Sequence, residues 1–293
     1  MAAWRDGFWM SRDGLRLHYR DYPGPADRPP ILCLPGLTRN ARDFADMADR
    51  LAGEWRLICV DLRGRGESAW AEDAATYAPP VYLEDIDALL AELGIARFVA
   101  FGTSLGGLLT AFLSLARPDR IAGALLNDIG PLLEPGGMAR IRSYVGRPAS
   151  WPGWPEAARA IAGANAAVYP DNAPDDWIAM AKRLCRIGPD GRVIYDYDMR
   201  IAEPMRASVE TDDAAAGTDS DNPLWPAFES LGAAPVTLLR GALSDLLAPA
   251  TAEAMRERVA GLDLVEIPRV GHTPTLTEPE SIVAIDRLLA RIG

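Results

Sequence analysis

Gly102-Thr103-Ser104-Leu105-Gly106 sets a serine between two glycines, directly after the apolar run 98–101 and directly before the apolar stretch 105–117, which Pro118 closes. At a strand-to-helix junction this G-x-S-x-G spacing makes a turn so tight that the flanking positions must lack side chains. The turn holds the hydroxyl clear of the sheet at a helix N-terminus, where backbone dipoles favour developing negative charge. A serine hydroxyl needs a base to become a nucleophile, and the chain has only 2 His to offer. His18 lies in an alternating segment, where Leu15, Leu17 and Tyr19 interleave with Arg16, His18 and Arg20. That alternation predicts a strand with His18 on its polar, solvated face. His272 instead stands on a Gly-containing loop, Val270-Gly271-His272-Thr273-Pro274, just past the strand-like run 262–267. It is the expected base.

A carboxylate at a further strand end is needed to orient that histidine and balance its charge. Asp245 follows the buried-strand pattern 235–241, and Asp128 follows the pattern 121–126. The order Ser104, Asp245, His272 fits a Ser…Asp…His arrangement. Asp245 also comes from the strand pattern just before that of His272, whereas Asp128 comes from one strand earlier. Strand ends lie about 4.8 Å apart, a long extra step for an Asp side chain. Asp245 is therefore the expected acid, and Asp128 the alternative.

Three further segments carry a resemblance. Leu32-Cys33-Leu34-Pro35-Gly36-Leu37 follows the third strand pattern. Asp61-Leu62-Arg63-Gly64-Arg65-Gly66-Glu67-Ser68 follows the fourth, and the Gly271-His272 loop comes last. With the serine turn and the post-strand aspartate, these segments resemble the α/β-hydrolase superfamily over nearly the whole chain, in its serine-nucleophile branch. The resemblance implies an α/β fold: a mostly parallel central sheet with flanking helices and an inserted helical cap. It also implies an oxyanion hole made by the backbone N–H groups of Leu37 and Leu105. Where the superfamily often has His-Gly in the oxyanion loop, this chain has Pro35-Gly36, which leaves a backbone hole intact.

Strand and helix patterns alternate through residue 126. Asn40 reads as the N-cap of a helix reaching Leu51, and residues 81–93 read as another helix ending at Gly94. From 134 to 225 the alternation gives way to a mainly helical, loop-rich stretch, with Cys185 in a helical run 177–187 and an acidic small-residue segment at 211–219. It resumes at Pro235. The expected division is a core of 1–133 and 226–293, with 134–225 as a cap over the strand C-terminal ends, where open α/β sheets carry their sites. Trp151, Trp154, Tyr144, Tyr169 and Trp177 either line a pocket there or pack the cap onto the sheet. Arg140, Arg142 and Arg147 either meet a substrate carboxylate or stay solvated.

A chain of 293 residues, 49% hydrophobic and 24% charged, can bury one large core. Its net charge of −11 argues against nucleic acid or an anionic membrane as partner. The first residues have no apolar signal region and no run is long enough to span a bilayer, so a cytoplasmic protein is expected. Three cysteines without close spacing, Cys33, Cys59 and Cys185, make no disulfide framework. No ligand cluster for a metal and no G-x-G-x-x-G after a strand are present, so neither a metal nor a cofactor is expected. The sequence predicts a serine hydrolase of a small ester or related acyl compound. The same triad and cap also suit a carbon–carbon bond hydrolase or enol-lactonase of aromatic-compound breakdown, or a ligand sensor. Oligomeric state is left open.

Overall fold

Runs of Ile, Leu, Val and Phe too apolar to leave in water become the middle strands of one sheet in the computed structural model, which describes residues 2–206 and 222–292. The sheet has eight strands: β1 (Arg5–Met10), β2 (Arg16–Tyr22), β3 (Ile31–Leu34), β4 (Leu57–Asp61), β5 (Phe98–Thr103), β6 (Ile121–Asn127), β10 (Val236–Gly241) and β11 (Leu262–Ile267). Their order is β1-β2-β4-β3-β5-β6-β10-β11. β1 and β2 are antiparallel to each other, and β2 is antiparallel to β4. Every other pairing is parallel. The central strands β3 and β4 are buried along their full length, as strands covered on both faces must be.

Helices supply the cover. α2 (Pro79–Glu92) and α3 (Leu105–Ala116) bury Tyr82, Ile86, Leu89, Leu109 and Leu113 in the core on one face. On the same face lie the short α7 (Trp225–Ser230) and α8 (Pro249–Arg258). α1 (Ala45–Leu51) and the C-terminal α9 (Pro279–Ala290) bury Met47, Leu51, Ile285 and Leu288 on the other. Asn40 does cap the turn leading into α1, its side chain accepting from the Arg42 amide at 3.1 Å. Every parallel strand therefore ends on one edge of the sheet, and the loops at that edge face each other.

Between β6 and β10 the chain leaves the sheet. It forms α4 (Pro135–Tyr144), α5 (Trp154–Asn165) and α6 (Pro174–Leu184), and a small antiparallel sheet ordered β7 (Ser150–Trp151), β9 (Val193–Tyr195), β8 (Cys185–Ile187). The segment is thus less helical than its sequence predicts, and Cys185 begins a strand rather than lying in a helix. A tight turn explains the difference. The Gly188 amide donates to the Arg192 carbonyl at 2.7 Å, and Gly191 takes φ +77°, which a side chain disfavours. That turn folds the chain back into a hairpin. The acidic stretch 211–219 lies outside the described residues. Among the described residues no helix is long and apolar enough to cross a membrane.

The other correction concerns His18, which is 1% exposed rather than solvated. Its strand lies between β1 and β4, and the Asp61–Ser68 turn closes over the face on which it sits. Its Nδ1 lies 2.7 Å from Asp61 Oδ2 and its Nε2 lies 3.0 Å from Asp6 Oδ1. Burial alone would push the His18 pKa down. The Asp61 carboxylate, with Asp6 behind it, outweighs that and holds it above the ordinary histidine range.

Candidate active site

Ser104 sits at the junction of β5 and α3 with φ 50° and ψ −115°, a backbone conformation that a residue with a side chain adopts only under constraint. The two glycines make it possible. A Cβ on Gly106 would lie 2.0 Å from the Leu34 carbonyl oxygen, and one on Gly102 would lie 2.5 Å from the backbone of Gly106 and Gly107. The Ser104 amide donates to the Asn127 carbonyl at 3.0 Å, which ties the turn to the end of β6.

His272 Nε2 lies 2.9 Å from Ser104 Oγ, and its Nδ1 lies 2.8 Å from Asp128 Oδ2. The aspartate beside the histidine is Asp128, not Asp245. The expectation failed because it asked a side chain to span the extra strand, whereas a loop does so. Residues 270 and 271 pass so close over the end of β10 that a Cβ on Gly241 would lie 2.5 Å from the Gly271 carbonyl oxygen. Beyond the histidine, the Pro274 carbonyl accepts from Asn127 Nδ2 at 2.9 Å, which pins the loop to the end of β6. The imidazole is thereby delivered to the strand end next to that of Ser104.

Asp128 is fully buried and itself takes a positive φ of 58°. Its Oδ1 accepts from the Gly241 amide at 2.9 Å, and its Oδ2 accepts from Ser244 Oγ at 2.6 Å. With His272 these partners fix the carboxylate on both oxygens. Ser244 is a residue the sequence reading passed over, and nothing but its loop position marks it. The Asp245 carboxylate turns outward to α4, where Arg140 donates from Nε at 2.5 Å and from Nη2 at 2.8 Å. That hydrogen-bonded guanidinium holds the Asp245 carboxyl below the usual range.

Leu37 and Leu105 are both half-buried beside the serine turn. Among the described residues neither of their amides donates to another protein group, as an amide reserved for an oxyanion requires. The Asp61–Ser68 turn braces this loop from below. Buried Arg65 donates from Nε to the Leu37 carbonyl at 2.9 Å, and Asp61 Oδ1 accepts from the Ala41 amide at 2.6 Å. Gly66, at φ +55°, leaves room for the Asp61 carboxylate 2.3 Å from where its Cβ would stand. Ser68 Oγ donates to the Asp61 carbonyl at 2.6 Å.

The aromatic residues of the inserted segment divide. Trp151, Trp154 and Trp177 pack against that segment's own small core, Trp151 edge-on to Tyr195 at 5.2 Å. Tyr169 packs edge-on to Trp177 at 6.1 Å and also reaches the His272 loop, its hydroxyl donating to the Thr273 carbonyl at 2.8 Å. Tyr144 is 41% exposed at the end of α4. Arg142 and Arg147 are exposed, whereas Arg140 is half-buried. Arg39, two residues past Leu37 and passed over in the sequence, lines a small cavity with Thr103, Tyr169 and Thr273.

The sequence matches the alpha/beta hydrolase family over residues 31–285. It is 35% identical over 277 residues to a 3-hydroxybutyrate-oligomer hydrolase of Cupriavidus necator, which covers 93% of this chain and 92% of that protein. The crystal structure of an alpha/beta hydrolase from Novosphingobium aromaticivorans is 52% identical, with a TM-score of 0.92 over 99% of each chain. A putative hydrolase from Rickettsia typhi shares the fold at 22% identity, with a TM-score of 0.84 over 98% of this chain and 99% of that one. With the sheet order, the serine turn and the histidine loop in agreement, the chain belongs to the alpha/beta hydrolase family.

Proposed function

We propose that this chain is a serine hydrolase of small carboxylic esters, with Ser104 as nucleophile, His272 as base and Asp128 as the acid that orients it. The observation that carries the reading is the unbroken line from Asp128 through His272 to Ser104, at 2.8 and 2.9 Å. Ser104 Oγ attacks the ester carbonyl while His272 Nε2 takes its proton, and the amides of Leu37 and Leu105 hold the oxyanion. The imidazolium, balanced by Asp128, then protonates the departing alcohol. A water deprotonated by His272 attacks the acyl-serine, releasing the acid and restoring the serine. Residues 134–225 act as the cap that selects substrates over these strand ends. The Cupriavidus relative makes esters of 3-hydroxybutyrate the first compounds to offer.

A fluorophosphonate probe and a short p-nitrophenyl ester test the reading together. Wild type should be labelled at Ser104 and release p-nitrophenol, and Ser104→Ala should do neither. Labelling that persists at another serine, or turnover that survives the substitution, would overturn it.

A further inference from the structure

The loop after β10 grips the Asp128 carboxylate with two groups. Gly241 donates its amide to Oδ1 at 2.9 Å, and Ser244 donates its hydroxyl to Oδ2 at 2.6 Å. A tight turn sets their spacing, the Ser244 amide donating to the Gly241 carbonyl at 2.9 Å. A hydroxyl has one proton and two lone pairs. The lone pairs of Ser244 Oγ are engaged by the amides of Leu246 at 3.3 Å and Leu247 at 3.1 Å, so its proton is committed to Asp128. Oδ2 is also the atom that meets His272 Nδ1, at 2.8 Å. Where Ser244 holds that oxygen, the imidazole is aimed.

The same loop is the seat of α4. The amide of Glu134, just before the helix, donates to the Leu246 carbonyl at 2.9 Å. One turn further on, Arg140 donates twice to the Asp245 carboxylate, at 2.5 and 2.8 Å. Between them Gly137 is buried, and a Cβ on it would lie 2.4 Å from the Asp245 carbonyl oxygen and 2.8 Å from Leu246 Cα. Those are backbone atoms that cannot rotate aside, so only glycine lets the helix settle this deep. Leu246 and Leu247 are buried in the core of the sheet face that α4 adjoins through Ile141. Residues 245–247 are therefore clamped between α4 and the core, and they include both amides that orient the Ser244 hydroxyl. Whatever displaces α4 displaces that hydroxyl.

We propose that Ser244 is a positioning residue that couples the seating of α4 on the 245–247 loop to the aim of the Asp128–His272 pair. The proposal rests on the ester-hydrolase reading, in which Asp128 is the acid and residues 134–225 are the cap. It adds a path by which the position of the cap sets the rate of the chemical steps. With α4 docked, Asp128 Oδ2 has two donors and the imidazole is fixed. With α4 displaced, Oδ2 keeps only His272 and the carboxylate can turn about its Gly241 contact. A misplacement on the order of 1 Å in such a line costs about 100-fold in rate.

Steady-state turnover of p-nitrophenyl acetate tests the coupling. Ser244→Ala should lower kcat by about 10- to 100-fold, the worth of one hydrogen bond to a charged group, with KM within about twofold of wild type. Ser244→Thr restores the hydroxyl and should recover most of the loss, which a packing role would not predict. Gly137→Ala, which lifts α4 off the loop, should lower kcat by a similar factor in the wild-type background. In the Ser244→Ala background it should cost less than about threefold, because the path is already cut. Gly137→Ala also stands alone should Ser244→Ala fail to fold. Full kcat in Ser244→Ala or in Gly137→Ala would overturn the proposal. So would a Ser244→Thr as slow as Ser244→Ala, or equal losses from Gly137→Ala in the two backgrounds. In each case wild-type turnover and Ser104 labelling would leave the ester-hydrolase reading standing. Absence of both in wild type would remove the two together.

Discussion

The two histidines of this protein occupy nearly the same local geometry and differ in one partner. His18 and His272 each set Nδ1 against a buried carboxylate, Asp61 at 2.7 Å and Asp128 at 2.8 Å. Both carboxylates are fixed by backbone amides as well: Asp61 by those of Ala41 and Glu67, Asp128 by that of Gly241. The second ring nitrogen separates them. His18 Nε2 faces another carboxylate, Asp6, whereas His272 Nε2 faces the hydroxyl of Ser104. Two carboxylates favour the charged form of the ring between them, and that form has no lone pair with which to accept a further proton. A ring between a carboxylate and a hydroxyl can take a proton and return it. An Asp–His pair is thus not by itself a catalytic unit. What the far nitrogen meets decides whether it fastens the fold or does chemistry.

The largest effects should fall at the His272 end. Ser104→Ala removes the one partner that His18 lacks and keeps the small volume that the turn tolerates. The loss in kcat should be on the order of 10⁴-fold or more, with the thermal midpoint near that of wild type. A residual rate within 100-fold of wild type would mean that the hydroxyl beside His272 is not the nucleophile.

The two candidate acids sharpen the comparison further. Asp128→Asn keeps an acceptor for the Gly241 amide but cannot balance an imidazolium, and should lower kcat by about 10⁴-fold. Asp245→Asn breaks only the pair with Arg140 and should cost less than about tenfold on neutral esters. Steady-state rates on one p-nitrophenyl ester decide between them. If Asp245→Asn proved the more damaging, the path through Asp128 would be a resting arrangement only.

What the sequence made legible follows the range of the forces involved. Ser104 and its glycines were readable because their constraint is local: a Cβ at 102 or 106 would strike backbone within a few residues or on the adjoining strand. His272 was readable by elimination. The carboxylate beside His272 was misplaced because its identity depends on how far the 270–274 loop swings, and that is set by Asn127 Nδ2 and the Gly241 contact, 147 and 30 residues distant in sequence. His18 was misjudged because alternation reports which side of a strand a residue takes, not whether that side is covered. The Asp61–Ser68 turn covers it. In the inserted segment, Gly188-Pro189-Asp190-Gly191 carried a turn signal, but strands of two or three residues leave too little periodicity to read. Arg39 was missed since one cation past a glycine turn has no pattern at all.

A smaller effect should appear at the braced loop that carries Leu37. Arg65 holds the Leu37 carbonyl through Nε and the Arg63 carbonyl through Nη1 at 2.6 Å. Arg65→Lys keeps the charge but replaces a planar fork with a single ammonium that cannot meet both carbonyls in the same geometry. An amide held less firmly stabilises the oxyanion less, so kcat should fall by about 10- to 100-fold with KM nearly unchanged. Equal losses in kcat and in the fraction folded would make Arg65 a stability residue alone.

The smallest effect belongs to the other histidine, and it is one of stability and sign. His18→Asn strips a partner from two carboxylates, one of them the buried Asp61, and should destabilise the fold by roughly 1–3 kcal/mol at mildly acid pH. The pH dependence follows from the raised pKa of His18. A histidine whose folded pKa lies above its unfolded value of about 6.5 binds its proton more tightly in the native state. Its contribution is complete below that unfolded value and is lost as pH rises through the higher folded one. The gap in thermal midpoint between wild type and His18→Asn should therefore be widest below about pH 6.5 and shrink toward alkaline pH. Asp6 shifts the opposite way, held low chiefly by its hydrogen bond to His18, and becomes ionised well below that window, so it does not reverse the trend. Thermal unfolding of both proteins across the pH range reads the gap directly. A gap that stayed constant would mean that His18 is held neutral, and one that widened with pH would mean that burial outweighs its two carboxylates. Either result would erase the electrostatic contrast drawn for His18, leaving the two imidazoles distinguished only by what the far nitrogen meets.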